Sequence, residues 1–139
     1  TEKKTFSLMM IDIDHFKSFN DNHGHQVGDQ VIRLVARALV EGVKGRDVPA
    51  RYGGEEFAVI LPETPQGGAL RVGEALRQVI AEKEIINRNT GNKMGRITVS
   101  IGVAEYIPGE DVHTIISRAD EALYAAKNNG RNQVAAASQ

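Results

Sequence analysis

The pair Gly53-Gly54, near the middle of a chain of 139 residues, constrains the fold most, because the residues on either side of it alternate as paired strands do. Ala50 and Tyr52 alternate with Arg51 before the glycines, and Phe57, Val59 and Leu61 alternate with Ala58 and Ile60 after them. The expectation is a β-hairpin closed by a tight glycine turn. Such a turn lifts Glu55 and Glu56 clear of the core, and a backbone without side chains lets a bulky polyanion approach it. The alternative is a polar turn on a surface hairpin, so the rest of the chain has to decide.

The segments around this hairpin suggest a sheet with helices on it. Phe6 to Ile13 is a short apolar run ended by Asp12 and Asp14, which suits a buried strand whose end emerges at an edge. Asp14 is placed to cap a short helix through about Asn22, followed by a loop from Gly24 to Gly28. Val31, Leu34, Val35, Ala38 and Leu39 then keep helical spacing up to about Gly42. Beyond the hairpin, Ala69, Val72, Gly73, Leu76, Val79 and Ile80 mark a second amphipathic helix. Residues 84–95 are polar, with no regular element expected. Ile97, Val99, Ile101 and Val103 alternate as a strand, and Val112 to Ala126 forms a final helix closed by Asn129-Gly130, before a terminal strand at Val134 to Ala137. The order β, α, α, β, β, α, β, α with mixed pairing predicts one α/β sandwich on a ferredoxin-like plan, without repeats or linkers.

Composition narrows the function. With 41% hydrophobic residues the chain is large enough for one domain with a real core. A net charge of −1 supplies no basic field for a nucleic-acid polymer, so any polyanion must be held locally. The absence of cysteine excludes disulfides, thiolate metal sites and cysteine nucleophiles, and suits the cytoplasm. No apolar run approaches the length of a membrane span.

Asp12 and Asp14 lie two apart near a strand end, where an extended chain points both to one face, and Glu55 and Glu56 face them from the hairpin. Up to four acids then gather at one edge. A hard divalent cation, Mg²⁺ or Mn²⁺, makes such a cluster tolerable and completes its shell with phosphate oxygens. Lys17 after the first strand, and Lys127 with Arg131 at the end of the last helix, offer positive charge for a phosphate, although basic residues also stabilise a helix C-terminus. Asn20 and Asp29 have the groups that read a guanine edge, yet such residues are common in caps and turns, so they do not by themselves name the base.

Several ordered blocks together resemble the GGDEF-domain diguanylate cyclases over almost the whole chain. They are Ile11-Asp12-Ile13-Asp14-His15-Phe16-Lys17, Asn20-Asp21, Gly24-His25 with Gly28-Asp29, Arg51-Tyr52-Gly53-Gly54-Glu55-Glu56-Phe57, Thr98 to Gly102, Ala119 to Tyr124, Lys127 and Gly130-Arg131-Asn132. The resemblance implies a nucleotidyl-cyclase palm-type fold, a central mixed, mostly antiparallel sheet flanked by helices. It implies that two GTP condense to cyclic di-GMP with release of two pyrophosphates, in a head-to-tail pair of domains that need only be transient. Mg²⁺ or Mn²⁺ would sit on Asp12, the Ile13 carbonyl and Glu55, with Glu55 also near the attacking 3′-hydroxyl and Glu56 supporting it. Asn20 and Asp29 would read guanine. Phe16 through its N–H, Lys17, Lys127 and Arg131 would hold phosphates, and His25 and Gly54 would complete the GTP site. A non-catalytic module that binds GTP or cyclic di-GMP is the alternative, and a ferredoxin-like domain without nucleotide affinity a third.

Two departures qualify the resemblance. Where the family's inhibitory product site carries Arg-x-x-Asp, this chain has Lys44-Gly45-Arg46-Asp47. An ammonium cannot stack on a base and fork onto a phosphate as a guanidinium does, so Lys44 and Asp47 are expected to form a weakened product site. The chain also begins after the helix-and-loop segment with which the family domain usually opens. The expectation is therefore a single catalytic domain, residues 1–139, cut from a longer sensor-linked and cytoplasmic protein that is free to carry a membrane anchor elsewhere.

Overall fold

The structure, a computed structural model, describes residues 5–43, 48–51 and 53–138. Its elements run β1 (Phe6–Ile13), α1 (Phe16–His23), α2 (His25–Gly42), β2 (Val48–Arg51), β3 (Glu56–Pro62), α3 (Gln66–Glu82), β4 (Ile85–Ile86), β5 (Lys93–Gly95), β6 (Val99–Glu105), α4 (Val112–Asn128) and β7 (Val134–Ala136). Five strands form one sheet in the order β2-β3-β1-β6-β7, with antiparallel pairing except between β6 and β7. β1 and β2 run parallel with β3 between them, and β3 and β6 run parallel with β1 between them. These two interleaved split βαβ units are the ferredoxin-like plan expected from the sequence.

β1 is buried along nearly its whole length because both of its faces are covered. Met9, Ile11 and Ile13 join Val31, Val35 and Leu39 of α2 and Leu76 and Ile80 of α3 in the larger core. Leu8 and Met10 pack on the other face against Ile115, Ala119, Ala122 and Leu123 of α4. The continuous apolar run thus reflects a strand between two helical layers. At Gly102 the α4 layer lies directly against the sheet backbone: an added Cβ would lie 2.2 Å from the Leu123 nitrogen and 2.3 Å from the Ala119 oxygen. Only glycine allows a strand and a helix backbone to approach so closely.

Four local expectations change. Asp14 does not cap α1, whose N-cap residue is His15, at φ 56° and without a side-chain cap. The segment from His25 to Gly28 is the first turn of α2 rather than a loop, and Gly28 serves packing, since a Cβ there would lie 2.0 Å from Asn20 Oδ1. Residues 84–95 contain the small antiparallel pair β4-β5, anchored by the fully buried Ile85. Val79, assigned to the apolar face of α3, is 47% exposed. No helix among the described residues is long and apolar enough to cross a membrane.

Candidate active site

Strand register brings the first acids together. Asp12 lies directly opposite Glu56 of β3 on one side and Ser100 of β6 on the other. The turn between β2 and β3 is closed by the Gly53 N–H, which donates to the Glu56 oxygen at 3.2 Å. The Ile13 N–H donates to the Glu55 oxygen at 3.3 Å, so the end of β1 is tied to the hairpin at the residue expected to offer its carbonyl. Asp12 is only 6% exposed; its Oδ2 pairs with Lys127 Nζ from α4, while its buried Oδ1 has no hydrogen-bond partner.

The electrostatics follow from this crowding. Burial holds the Glu55 carboxyl above its ordinary range, helped by the Asp12 charge, a hydrogen bond to Asp12 and the Glu56 charge, and opposed by Lys127. Glu56 is raised by burial and then by Asp12 and Asp120, again against Lys127. Asp120 is raised by burial and drawn down by Lys127. Asp120 and Lys127 are two helical turns apart on α4, a spacing from which their shared face could have been read.

Asp14 leaves the cluster predicted for it. It is buried, and its carboxylate accepts from Thr98 Oγ1 at 2.7 Å, Ser100 Oγ at 2.6 Å and the Asn132 N–H at 3.0 Å. The acids left at the hairpin are Asp12, Glu55 and Glu56. Among the described residues no three acidic or histidine side chains form a complete metal cage. A hard cation that keeps several waters and takes phosphate oxygens needs no such cage, and a buried carboxylate oxygen without a donor beside two acids of raised pKa fits it.

The remaining predicted residues lie on α1, on α2, just beyond α4 and in the hairpin turn. Phe16 and Lys17 open α1, Phe16 half-buried and Lys17 exposed. Asn20 Nδ2 lies 3.0 Å from His25 Nδ1, while Asn20 Oδ1 lies over Gly28, immediately before Asp29. Asp29 lines a cavity of about 260 Å³ with Gln26, Arg33, Asn87 and Arg88. Arg131 is exposed just beyond α4, and Gly54 is exposed in the hairpin turn. Lys44 and Asp47, the expected product site, lie outside the described residues, as does Tyr52 of the signature.

The family described as diguanylate cyclase, GGDEF domain, matches residues 1–133. The chain is 46% identical over 128 residues to diguanylate cyclase VdcA of Vibrio cholerae, covering 92% of this chain and 38% of that protein. It is similar to the GGDEF domain of DgcB from Caulobacter crescentus, solved in complex with c-di-GMP, at 47% identity and a TM-score of 0.93, over 96% of this chain and 78% of that one. It also resembles the active GGEEF domain of a diguanylate cyclase from Vibrio cholerae, at 35% identity and a TM-score of 0.89, over 98% of this chain and 85% of that one. The chain spans little more than a third of the length of curated relatives such as these.

Proposed function

Because this chain belongs to the GGDEF domain family of diguanylate cyclases, we propose that it condenses two GTP into cyclic di-GMP, with a second GGDEF domain holding the other nucleotide. The observation that carries this reading is the buried Asp12, whose Oδ1 has no donor and which lies opposite Glu56 in the strand register. In each half of the reaction the 3′-hydroxyl of one GTP gives its proton to the Glu55 carboxylate, and its oxygen bonds to the α-phosphorus of the other. The bond from that phosphorus to the bridging oxygen breaks, and pyrophosphate leaves with its electron pair. Two such steps close the ring and release two pyrophosphates.

Asp12, the Ile13 carbonyl and Glu55 would hold Mg²⁺ or Mn²⁺. When bound, such an ion lowers the pKa of the hydroxyl and neutralises charge developing on the phosphate. Glu55, whose carboxyl is already held above its ordinary range, lies beside the attacking hydroxyl, and Glu56 supports its charge state. Lys127 and Arg131 meet the phosphates from the end of α4, and Lys17 with the Phe16 N–H meets them from the start of α1. Asp29 accepts from the N1–H and N2–H donors of the guanine edge and the Asn20 amide completes its recognition, with His25 fixing Asn20. Positioning and fixed charge supply most of the acceleration. Dependence on a GTP pool places the reaction in the cytoplasm.

The test is cyclic dinucleotide formation from GTP and Mg²⁺ as a function of protein concentration. The expected rate rises more steeply than linearly with concentration, because two domains must meet. Absence of product even when two copies are joined by a dimerising fusion, with GTP still bound, would replace this reading with a non-catalytic nucleotide-binding module.

A further inference from the structure

Asp14 is a buried carboxylate for which the proposed chemistry has no use, yet its bonds reach two segments distant in sequence. Its own N–H donates to the Thr98 oxygen at 2.9 Å, and its side chain accepts from Thr98, Ser100 and the Asn132 N–H. On its own side it sits at the turn into α1, where His15 has a φ of 56°. On the far side it takes the N–H of a segment with three successive left-handed residues, Gly130, Arg131 and Asn132, at φ 114°, 63° and 50°.

Glycine adopts that conformation freely, but arginine and asparagine have to be held in it. Several contacts do so. The Arg131 N–H donates to the Ala126 oxygen at 3.0 Å, and Gln133 Nε2 donates to the Arg131 oxygen at 3.1 Å. Arg77 Nη1 donates to Asn132 Oδ1 at 2.8 Å and is itself fixed by Glu74. Asp14 alone among these partners comes from the turn that starts α1. It therefore joins the two sides from which phosphates would be met, Phe16 and Lys17 on one and Arg131 on the other.

We propose that Asp14 is a positioning residue that locks the turn after α4 to the turn before α1, and so sets the spacing of the triphosphate cradle. This rests on the GTP reading given above. Asp14→Ala removes all three accepted bonds. Asp14→Asn keeps an oxygen for Thr98 and Asn132 and turns its amide towards Ser100, whose hydroxyl can accept. Asn132→Val leaves Asp14 intact but disfavours the left-handed conformation, whereas Asn132→Gly permits it.

The experiment measures, for each variant with Mg²⁺, the affinity for a GTP analogue with a methylene between the α and β phosphorus atoms, the affinity for guanosine, and the melting temperature without nucleotide. Asp14→Ala and Asn132→Val are expected to weaken the analogue about tenfold while guanosine is bound as by the wild type. Asn132→Gly and Asp14→Asn should stay within about threefold of the wild type for both ligands. If Asp14→Ala does not fold, Asn132→Val decides. Wild type that binds the analogue, with Asp14→Ala and Asn132→Val binding it equally well or losing guanosine in parallel, overturns this inference alone. Wild type that binds neither ligand removes the GTP reading and this inference with it.

Discussion

Replacing Gly102 by alanine should damage both the fold and the end of α4 proposed to meet phosphates, and the structure gives the size of the effect. The new Cβ would meet the Leu123 nitrogen at 2.2 Å, the Ala119 oxygen at 2.3 Å and the Leu123 Cα at 2.8 Å, where ordinary contact starts at 3.4 Å. All three atoms belong to the backbone of α4, so no side chain can rotate away, and β6 and α4 must separate by roughly 1 Å. Overpacking of this kind costs about 1–3 kcal/mol where side chains can adjust, and with a rigid helix at the contact we expect about 3 kcal/mol or more. For a domain of this size that is a fall in Tm of roughly 10 °C. Lys127 is carried by the same helix and pairs with Asp12 across the gap, so a shift of this size would also lower turnover about a hundredfold in the folded protein. The assay is thermal and urea unfolding of Gly102→Ala beside Gly67→Ala, where the nearest atom to the added Cβ is Arg71 Nη1 at 4.0 Å. The Gly67 variant should gain up to about 1 kcal/mol. A Gly102 variant within about 1 kcal/mol of the wild type would refute the close contact between strand and helix.

Three further outcomes follow from the site. Burial and Asp12 raise Glu55 above its ordinary value of 4.5, so its contribution to stability is present below that pH and is lost as pH rises through the raised value. Glu55→Gln should therefore melt above the wild type at pH 7 in chelator, lose that advantage as pH falls towards 4.5, and gain less than the wild type from added Mg²⁺. Lys127→Met leaves the Asp12 charge without its partner; because the lysine side chain is 34% exposed, the cost should be nearer about 1–2 kcal/mol than that of a fully buried pair, as read by urea unfolding. Gly28→Ala displaces Asn20 without strain elsewhere in α2, so stability should change little while KM for GTP rises about tenfold in steady-state kinetics.

The acids at the hairpin were legible because strand alternation and a glycine turn are local properties, and the register of Asp12 opposite Glu56 follows once β1 and β3 pair. Asp14 was misplaced for the opposite reason. Two residues along an extended strand share a face, but the chain turns at Asp14, and its partners Thr98, Ser100 and Asn132 are more than eighty residues away. No local pattern gives that pairing. Gly28 was read as a loop residue because glycine lowers helix propensity, whereas here the close approach of Asn20 outweighs that cost. The β4-β5 pair was invisible because it is two or three residues long on each side and has no alternation to detect.

The central place of β1 has a consequence for how the chain is made. Within the domain the strand is synthesised before the rest of the sheet, and its neighbours β3 and β6 begin only at Glu56 and Val99. At about 5–20 residues per second, an apolar strand with two unpaired edges leaves the ribosome on the order of 5–20 s before its second partner exists. Until β6 and α4 are made, Leu8 and Met10 lack one sheet neighbour and their helical cover, and they are the segment a chaperone would be expected to hold. Slow codons between β1 and β6 would lengthen that exposure, and the yield of soluble protein should be more sensitive to translation speed there than after β6.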